Sequence, residues 1–291
     1  WTPETLFLEL THRCPLVCRH CYLSAGTGPD LSRELLHHLS AEVVTLGIDR
    51  VHLTGGEPFL YGELAEFVDF LAERKVTLTL TTSGFLSSPE IFHLSETIGK
   101  TGGWIQVATC LTDDTIHEAE PLCELLRDLG VNLWRVGTII PLGRAEKSQI
   151  QVTVAFQQKV DELRNRLRSS YDRQGFQIER LEDEPDPESC SNCGAGYRTL
   201  KIAPDGSIHP CPMLHDPMGY LKLPESALAD FIRTNLATRY VELQVPSKEL
   251  CGACANLSLC RGCPAAGLAY GQKQDGCLWM KHSSLITSPC C

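Results

Sequence analysis

The sequence predicts an α/β fold, an incomplete TIM-like (β/α)6 barrel followed by a cysteine-rich C-terminal domain. Strand-like and helix-like segments alternate six times up to residue 181, and ten of the 15 cysteines lie beyond residue 189. This alternation produces parallel strands joined by right-handed helical crossovers, and six such units curl into an open barrel. The six strand-like runs are residues 5–10, 50–54, 76–82, 104–109, 132–140 and 176–181.

Helices between these strands are predicted from apolar residues that recur every three or four positions. The stripes expected to face the core are Leu36/Leu39/Val43/Leu46, Leu64/Phe67/Val68/Leu71, Leu122/Leu125/Leu126/Leu129 and Phe156/Val160/Leu163/Leu167. In a parallel barrel the active site lies at the carboxyl ends of the strands. We therefore expect functional residues in the loops that follow the strands.

The domain boundary is predicted where this periodic pattern stops, at the acidic, proline-containing stretch of residues 182–189. The predicted domains are a barrel of residues 1–181 and a cysteine-rich domain of residues 182–291. Within the second domain, residues 200–211 (LKIAPDGSIHPC) predict a β-hairpin around a Pro-Asp-Gly turn. After this hairpin the cysteines lie in segments predicted as loops. Bound metal can stabilise such loops.

The composition indicates where the protein is located in the cell and which classes of partner it can bind. Lys plus Arg number 26 against 36 Asp plus Glu, a net charge of −10 without a basic block, which argues against nucleic acid as a partner. No apolar run approaches the ~20 residues that cross a bilayer, and the N-terminus WTPETLFLEL lacks signal-peptide features. We expect a cytoplasmic protein, in which 15 cysteines indicate metal binding rather than disulfides.

The stretch CPLVCRHCY, residues 14–22, follows the first strand and holds three cysteines in a CX3CX2C pattern. Three thiolates are one ligand short of a tetrahedral zinc site, so a structural zinc completed by His12 or His20 is one interpretation. A metal centre that keeps one position open is the other. Residues 53–64 (LTGGEPFLYGEL) favour the open centre, because paired glycines let backbone approach a ligand and Glu57 adds a carboxylate.

These motifs resemble those of the radical S-adenosylmethionine (SAM) superfamily, with its CX3CX2C loop after strand one and its GGE motif after strand two. The resemblance covers residues 5–181. It implies that Cys14, Cys18 and Cys21 each bind one iron of a 4Fe–4S cluster whose fourth iron binds SAM. Such a cluster cleaves SAM to a 5′-deoxyadenosyl radical, which removes hydrogen from an unactivated C–H bond, so the cofactor carries the difficult chemistry.

The resemblance also implies contacts to SAM. Gly55, Gly56 and Glu57 are expected against the methionine amino group, and Tyr22 near the adenine. Ser83, in the stretch TTSG, stands where relatives often carry asparagine, and is a further candidate for a SAM contact.

Strands four and five add candidates at their carboxyl ends. Thr109 and Arg135 are candidates for contacts to the SAM carboxylate and ribose, with a role in lining the barrel as the alternative. Cys110 could donate hydrogen to a substrate radical, whereas Cys123 is expected to be structural. Residues 141–147 (PLGRAEK) resemble the turn after strand five in this superfamily, and we assign them no catalytic role.

The C-terminal cysteines form a second pattern: CX12GX4C from Cys193 to Cys211, then CX2CX5CX2C from Cys251 to Cys263, then Cys277. A zinc ribbon is the alternative, but its paired knuckles are usually ~15–20 residues apart, and here five residues separate them. The pattern resembles the SPASM extension of radical SAM enzymes, which holds auxiliary iron–sulfur clusters. It departs by one residue, with CX2 for CX3 before the last cysteine of the run.

The SPASM resemblance implies up to two auxiliary clusters. By analogy one uses Cys190, Cys193, Cys211 and Cys263, and the other uses Cys251, Cys254, Cys260 and Cys277. If Cys190 is not a ligand, the first of these clusters has an open iron. Cys290 and Cys291 are expected in a disordered tail.

Three functions fit these patterns. The first is a radical SAM enzyme that epimerises or crosslinks (through thioether or C–C bonds) a ribosomally made peptide in natural-product maturation. The second is a small-molecule dehydrogenase or epimerase for an aminoglycoside-type sugar, and the third is a zinc-binding scaffold without catalysis. We favour the peptide, because most SPASM relatives modify peptides. The first cysteine comes almost at once, so a separate protein is expected to capture the leader peptide, and a flavodoxin or ferredoxin to supply electrons.

Overall fold

The computed structural model describes residues 1–85, 104–148, 150–172, 175–181, 193–223, 227–234, 238–260 and 262–283. The strands are β1 (Thr5–Thr11), β2 (Arg50–Gly55), β3 (Thr77–Leu80), β4 (Gln106–Leu111), β5 (Leu133–Thr138), β6 (Gln177–Arg180), β7 (Thr199–Ile202), β8 (Ser207–His209) and β9 (Gly219–Tyr220). The first six confirm the predicted strand runs, each within a few residues.

Helices separate the barrel strands as predicted and continue as short segments among the late cysteines. They are α1 (Arg33–Leu46), α2 (Leu64–Glu73), α3 (Ala119–Asp128), α4 (Arg144–Lys147), α5 (Val154–Tyr171), α6 (Leu228–Thr234), α7 (Thr238–Val241), α8 (Lys248–Cys251), α9 (Leu257–Cys260), α10 (Pro264–Gly271) and α11 (Leu278–His282). None of the helices in these ranges is long and apolar enough to cross a bilayer.

The barrel strands form two parallel groups, which confirms the predicted α/β class. One sheet has the order β3-β2-β1-β7-β8-β9 and the other the order β4-β5-β6. Within the described ranges no backbone ladder joins β3 to β4. Pairing within β1–β3 and within β4–β6 is parallel throughout, as crossover connections through helices require.

The hairpin of β7 and β8 extends the barrel sheet, a feature that the sequence analysis missed. Strand β7 pairs in parallel with β1, from Thr5 opposite Thr199 to Leu8 opposite Ile202, and β8 then pairs antiparallel with β7. Both strands contribute fully buried side chains to the same apolar cluster as β1. The barrel and the cysteine-rich region therefore share one sheet and one core, although the boundary at residue 181 stays a prediction.

Strand β1 separates the core from the barrel interior. Leu6, Leu8 and Leu10 are fully buried in one cluster with apolar residues of α1 and α2. Successive side chains of a strand point to opposite faces, so Phe7 and Glu9 point to the other side, into the barrel. The predicted apolar faces of α1 and α2 are confirmed by this cluster.

The predicted apolar face of α3 is confirmed for two of its four leucines. Leu126 is buried and Leu122 packs against the same cluster, whereas Leu125 and Leu129 are 52% and 40% exposed. The small side chains of Ala119 and Cys123 are buried in this cluster instead. This packing buries Cys123, whose pKa burial raises to about 11, in agreement with the structural role predicted for it.

Candidate active site

The loop that carries Cys14, Cys18 and Cys21 leaves β1 at a register shift between Glu9 and Thr11. The backbone amide of Cys14 donates to Gly26 O at 2.9 Å, and the amide of Gly26 donates to His12 O at 3.0 Å. These bonds fasten the two ends of the loop together. The three thiols are thus presented by a short closed excursion directly after the first strand.

An arginine–aspartate pair braces the base of this loop. Arg13 binds Asp30 through two parallel bonds of 2.9 and 2.7 Å, and its Nη2 also donates to Leu60 O at 2.6 Å. The hydroxyl of Thr11 donates to the same carboxylate at 2.5 Å. A bidentate pair fixes orientation as well as distance, so the loop is tied both to its own far end and to the segment that follows β2.

The three thiols share one electrostatic environment. Burial, together with the charges of Cys14 and Cys21, raises the pKa of Cys18, and the positive charge of Arg144 acts in the opposite direction. A bound metal centre would neutralise this mutual repulsion. Among the described residues no three His, Cys, Asp or Glu side chains converge on one ion position, and an iron–sulfur cluster, with one thiolate per iron, does not require them to.

The two glycines of the GGE turn lie directly against this loop. Gly55 has φ of 136°, and a Cβ there would lie 2.4 Å from Thr11 O; a Cβ on Gly56 would lie 2.1 Å from Arg13 O. The amides of Gly56 and Glu57 donate to these two carbonyls at 2.6 and 2.8 Å. The glycines are therefore required for contact between two protein segments, and their contact with SAM stays a prediction.

Glu57 is 1% exposed and its carboxylate is held by the end of the next strand. Its Oε1 accepts from Thr82 Oγ1 at 2.8 Å, and its Oε2 accepts from the amide and the hydroxyl of Ser83 at 2.9 and 2.5 Å. The structure thus brings Ser83 and Glu57 together. Ser83 orients the carboxylate, and direct contact of Ser83 with SAM stays a prediction.

Tyr22 connects the first cysteine loop to the C-terminal region. Its hydroxyl bonds Thr54, and its ring centroid lies 6.5 Å from that of His215. Burial raises the pKa of Tyr22, and the negative charges of Glu9, Cys21 and Cys211 act in the same direction. The residue predicted near the adenine therefore lies within the electrostatic reach of both cysteine groups.

The candidates on β4 and β5 lie on opposite faces of their sheet. The hydroxyl of Thr109 accepts a hydrogen bond from Trp134 Nε1 at 3.0 Å, and both residues lie on the face that packs against the helices. Alternation places Arg135 on the other face, where its Nη2 lies 3.5 Å from Glu179 Oε2, while Cys110 packs against the same apolar cluster as Trp134. The roles proposed for all three stay predictions, but Thr109 has a structural partner on the helix side.

The late cysteines lie close enough to affect one another's pKa. Burial and the charges of Cys263 and Cys193 raise the pKa of Cys211 to about 12. Burial, followed by the charges of its neighbours, raises the pKa of Cys260 to about 12, and the strongest of these neighbours are Cys254, Cys251 and Cys277. The charge of Cys263 also acts on Cys260, so the division of these thiols into two ligand sets stays a prediction. Cys190, Cys290 and Cys291 lie outside the described residues.

A buried ion pair joins the barrel to the hairpin. Lys201 Nζ on β7 lies 3.1 Å from Glu9 Oε1 on β1, and these side chains are 3% and 1% exposed. On β8, His209 Nε2 and Ser207 Oγ are 2.8 Å apart, and the hydroxyl also bonds Asp205 at 2.6 Å. A polar network therefore lines the barrel interior between the first cysteine loop and Cys211.

Comparison with known proteins agrees with this geometry. A family model described as the radical SAM superfamily matches residues 8–138, which contain the cysteine loop and the GGE turn. Residues 8–138 are a radical SAM domain. The C-terminal cysteine groups, whose spacing resembles the SPASM extension, follow this domain in the chain.

Similar radical SAM proteins match most of the chain. The antilisterial bacteriocin subtilosin biosynthesis protein AlbA of Bacillus subtilis is 22% identical over 95% of this chain and 71% of AlbA. The mycofactocin maturase MftC of Mycobacterium tuberculosis is 24% identical over 94% of this chain and 81% of MftC. The crystal structure of Streptococcus suis SuiB bound to its precursor peptide SuiA has a TM-score of 0.69 at 16% identity, covering 95% of this chain and 74% of SuiB, which shows the fold.

Radical SAM proteins use SAM and a 4Fe–4S cluster, and the described donors of this chain fit that pair. The first three thiols can hold the cluster, and the GGE turn with its oriented carboxylate lies against the same loop. The first cysteine loop and the GGE turn with its carboxylate therefore lie side by side, and their roles toward the cluster and SAM stay predictions.

Two further residues of this radical SAM protein were missed by sequence reasoning. Gln274 lines a cavity of about 250 Å³ with Cys251, Cys254 and Cys277, and its amide atoms lie 3.6 Å from the Cys254 sulfur. Asn256 Nδ2 donates to Gln274 Oε1 at 3.2 Å. Lone amides carry no motif, so only the folded geometry identifies them.

Proposed function

We propose that this radical SAM enzyme modifies a ribosomally made peptide, by epimerisation or by a thioether or carbon–carbon crosslink, during maturation of a natural product. Cys14, Cys18 and Cys21 would hold the 4Fe–4S cluster with one iron open to SAM. When bound, this pair supplies the ability to remove a hydrogen atom from an unactivated C–H bond. The residues of the chain bind, orient and enclose the reactants.

One observation carries this proposal: at least seven late cysteines lie close enough to affect one another's pKa, and Cys211 among them also raises the pKa of Tyr22 on the first cysteine loop. Two auxiliary clusters beside a radical SAM site are typical of the peptide-modifying branch. The names of the relatives agree, since they include a bacteriocin biosynthesis protein, a maturase and an enzyme crystallised with its precursor peptide.

The barrel interior offers groups for handling the substrate. Glu57, held by Thr82 and Ser83, would accept a hydrogen bond from the SAM amine. Cys110, partly buried near the carboxyl end of β4, would return a hydrogen atom to a substrate radical. Auxiliary clusters can accept an electron when the product is oxidised.

The same proposal includes the surroundings of the enzyme. A flavodoxin or ferredoxin would deliver electrons to the first cluster, and a separate protein would bind the leader of the substrate peptide. A reducing cytoplasm would keep the 15 cysteines available as metal ligands.

Anaerobic iron and sulfide analysis of the reconstituted protein tests the cluster inventory. We expect about twelve irons per chain, falling to about eight in a Cys14/Cys18/Cys21→Ala triple variant. About eight irons falling to about four would leave one auxiliary cluster and turn the proposal toward a small-molecule dehydrogenase or epimerase. With twelve irons established, precursor peptides encoded near the gene are incubated with SAM and reductant, and their mass and stereochemistry are measured.

Substitution of Cys110 distinguishes the reaction types. If the reaction is an epimerisation with Cys110 as donor, Cys110→Ala stops hydrogen return, and an oxidised peptide accumulates. Solvent deuterium in the wild-type product, absent from the variant, identifies the thiol as its source. Unchanged turnover and deuterium content would dismiss Cys110 as the donor.

A further inference from the structure

We propose that Arg144 is a positioning residue that holds the cluster-binding loop in place and stabilises the reduced state of its cluster. Arg144 lies in PLGRAEK, the motif after β5 to which the sequence analysis assigned no role. The inference rests on the proposed cluster ligation by Cys14, Cys18 and Cys21, and it is independent of the substrate on which the enzyme acts.

The first argument is the set of contacts that Arg144 makes with this loop. Its Nη1 donates to Cys18 O at 2.9 Å, its Nη2 donates to Ala25 O, and its backbone amide donates to Cys21 O at 2.8 Å. Three carbonyls of one eight-residue stretch are therefore bound by one residue from 119 to 126 positions further along the chain. Two of these carbonyls belong to cluster cysteines.

The second argument is the fit of the residue before it. Gly143 has φ of +59°, and a Cβ at this position would lie 2.0 Å from Tyr22 O and 2.9 Å from Cys21 O. A side chain here would meet backbone on the loop, and its left-handed conformation also favours glycine. The Gly-Arg pair therefore fits against residues 21 and 22 as closely as the GGE turn fits against residues 11 to 14.

The third argument is charge. Arg144 is partly buried, and its guanidinium donates to the carbonyls of Cys18 and Ala25, so its positive charge lies beside the loop that carries the thiols. A 4Fe–4S cluster becomes more negative when it is reduced, and a nearby positive charge stabilises that state. Arginine alone combines this charge with a planar fork that can bind two carbonyls at once, so lysine at 144 would keep the charge and lose the fork.

The test uses the full-length reconstituted protein and the variants Arg144→Gln and Arg144→Lys. The matched control is Lys147→Gln, which removes one positive charge from the exposed side of the same short helix. Two quantities are measured without substrate: the rate of iron loss to a chelator, and the midpoint potential of the cluster whose EPR spectrum changes on SAM addition.

We expect Arg144→Gln to lower the midpoint potential and to speed iron loss from this cluster by several fold. Arg144→Lys should keep a midpoint potential close to that of the wild type but lose iron faster. This variant therefore separates the effect of the positive charge from the effect of the hydrogen bonds to the loop. Wild-type potential and iron-loss rate in Arg144→Gln would overturn the proposal, and so would equal changes in Lys147→Gln.

Two controls separate this proposal from misfolding and from the proposed peptide chemistry. Wild-type circular dichroism must accompany the effect. The auxiliary-cluster iron is counted in the Cys14/Cys18/Cys21→Ala background, where adding Arg144→Gln must leave the iron content unchanged. A variant that also loses auxiliary iron would show a global defect and contradict the local role. Failure to modify any peptide would leave the potential and the iron-loss rates unaffected, so the two proposals fail separately.

Discussion

The hydroxyl of Ser83 lies 2.5 Å from Oε2 of Glu57, and the amide of Ser83 donates to the same oxygen at 2.9 Å. With Thr82 on the other carboxylate oxygen, the end of β3 fixes the acid of the GGE turn. A buried carboxylate needs such donors, because an unpaired one would be costly. The carboxylate is thus preorganised before any ligand arrives.

Replacement of Ser83 tests this relationship. Ser83→Ala removes one charge-assisted bond and should reduce the free energy of unfolding by about 1.5–3 kcal/mol, with SAM affinity weakened as Glu57 loosens. Ser83→Asn can donate again from its side-chain amide and should recover part of both losses. Urea unfolding and calorimetric SAM titration measure the two quantities. A loss of SAM affinity in Ser83→Ala at wild-type stability would instead indicate direct contact of Ser83 with SAM.

Thr109 is expected to be structural. Thr109→Val keeps the shape but leaves the indole N–H of Trp134 without its acceptor, at a cost of about 1–3 kcal/mol in stability. Thr109→Ser preserves the acceptor and serves as the control. SAM dissociation constants should agree for the three proteins. An affinity that drops in Thr109→Val without a change in stability would support the contact to the SAM carboxylate.

The buried pair of Glu9 and Lys201 should behave differently in single and double variants. Lys201→Met leaves a buried carboxylate without its cation and should cost about 3–5 kcal/mol. In Glu9→Leu/Lys201→Met both charges are gone, so much of that loss should be recovered. Denaturant unfolding of the wild type, Glu9→Leu, Lys201→Met and the double variant gives the coupling energy between the two side chains. Equal destabilisation in the single and the double variant would contradict an ion pair at this junction.

Gln274 is expected to tune an auxiliary cluster. A metal-bound thiolate accepts hydrogen bonds only, and Asn256 occupies Gln274 Oε1, so Nε2 faces the sulfur of Cys254. Bonds to cluster sulfurs stabilise the reduced state, so Gln274→Leu should lower the midpoint potential of one auxiliary cluster. The exposed Gln272→Leu is the control, and EPR-monitored redox titration is the measurement. Identical potentials in the two variants would dismiss the contact.

Much of the fold could be predicted because local patterns and burial agree. The six barrel strands and the faces of α1 and α2 follow from periodicity alone. The α3 face was only half predicted, because the leucine spacing outweighs the small residues Ala119 and Cys123, which are buried while Leu125 and Leu129 are exposed. Which face of a helix is buried depends also on the shape of the surface that it packs against. The sequence of the helix alone does not reveal that surface.

The residues of the candidate site could be predicted where they form a local sequence motif. They could not be predicted where only folding brings them together. The first three cysteines follow from spacing, and their charges act on one another in the folded chain. The late cysteines also follow from spacing, and their division into two ligand groups stays a prediction. The hydrogen bond between Thr109 and Trp134 depends on the register of two strands. The hydrogen bonds of Arg144 to the cysteine loop depend on contact between segments that are far apart in the sequence. Neither leaves a local trace in the sequence.

The pairing of β7 with β1 has a consequence for biosynthesis. Arg198, just before β7, bonds Glu4, just before β1. During translation the first strand therefore cannot pair with β7 until the chain has grown by 194 further residues. Long-range pairing of this kind is slow. Until it forms, the edge of β1 is open and the adjacent thiols are accessible. During that interval chaperones can bind the open edge, and the proteins that deliver iron and sulfur can reach the thiols.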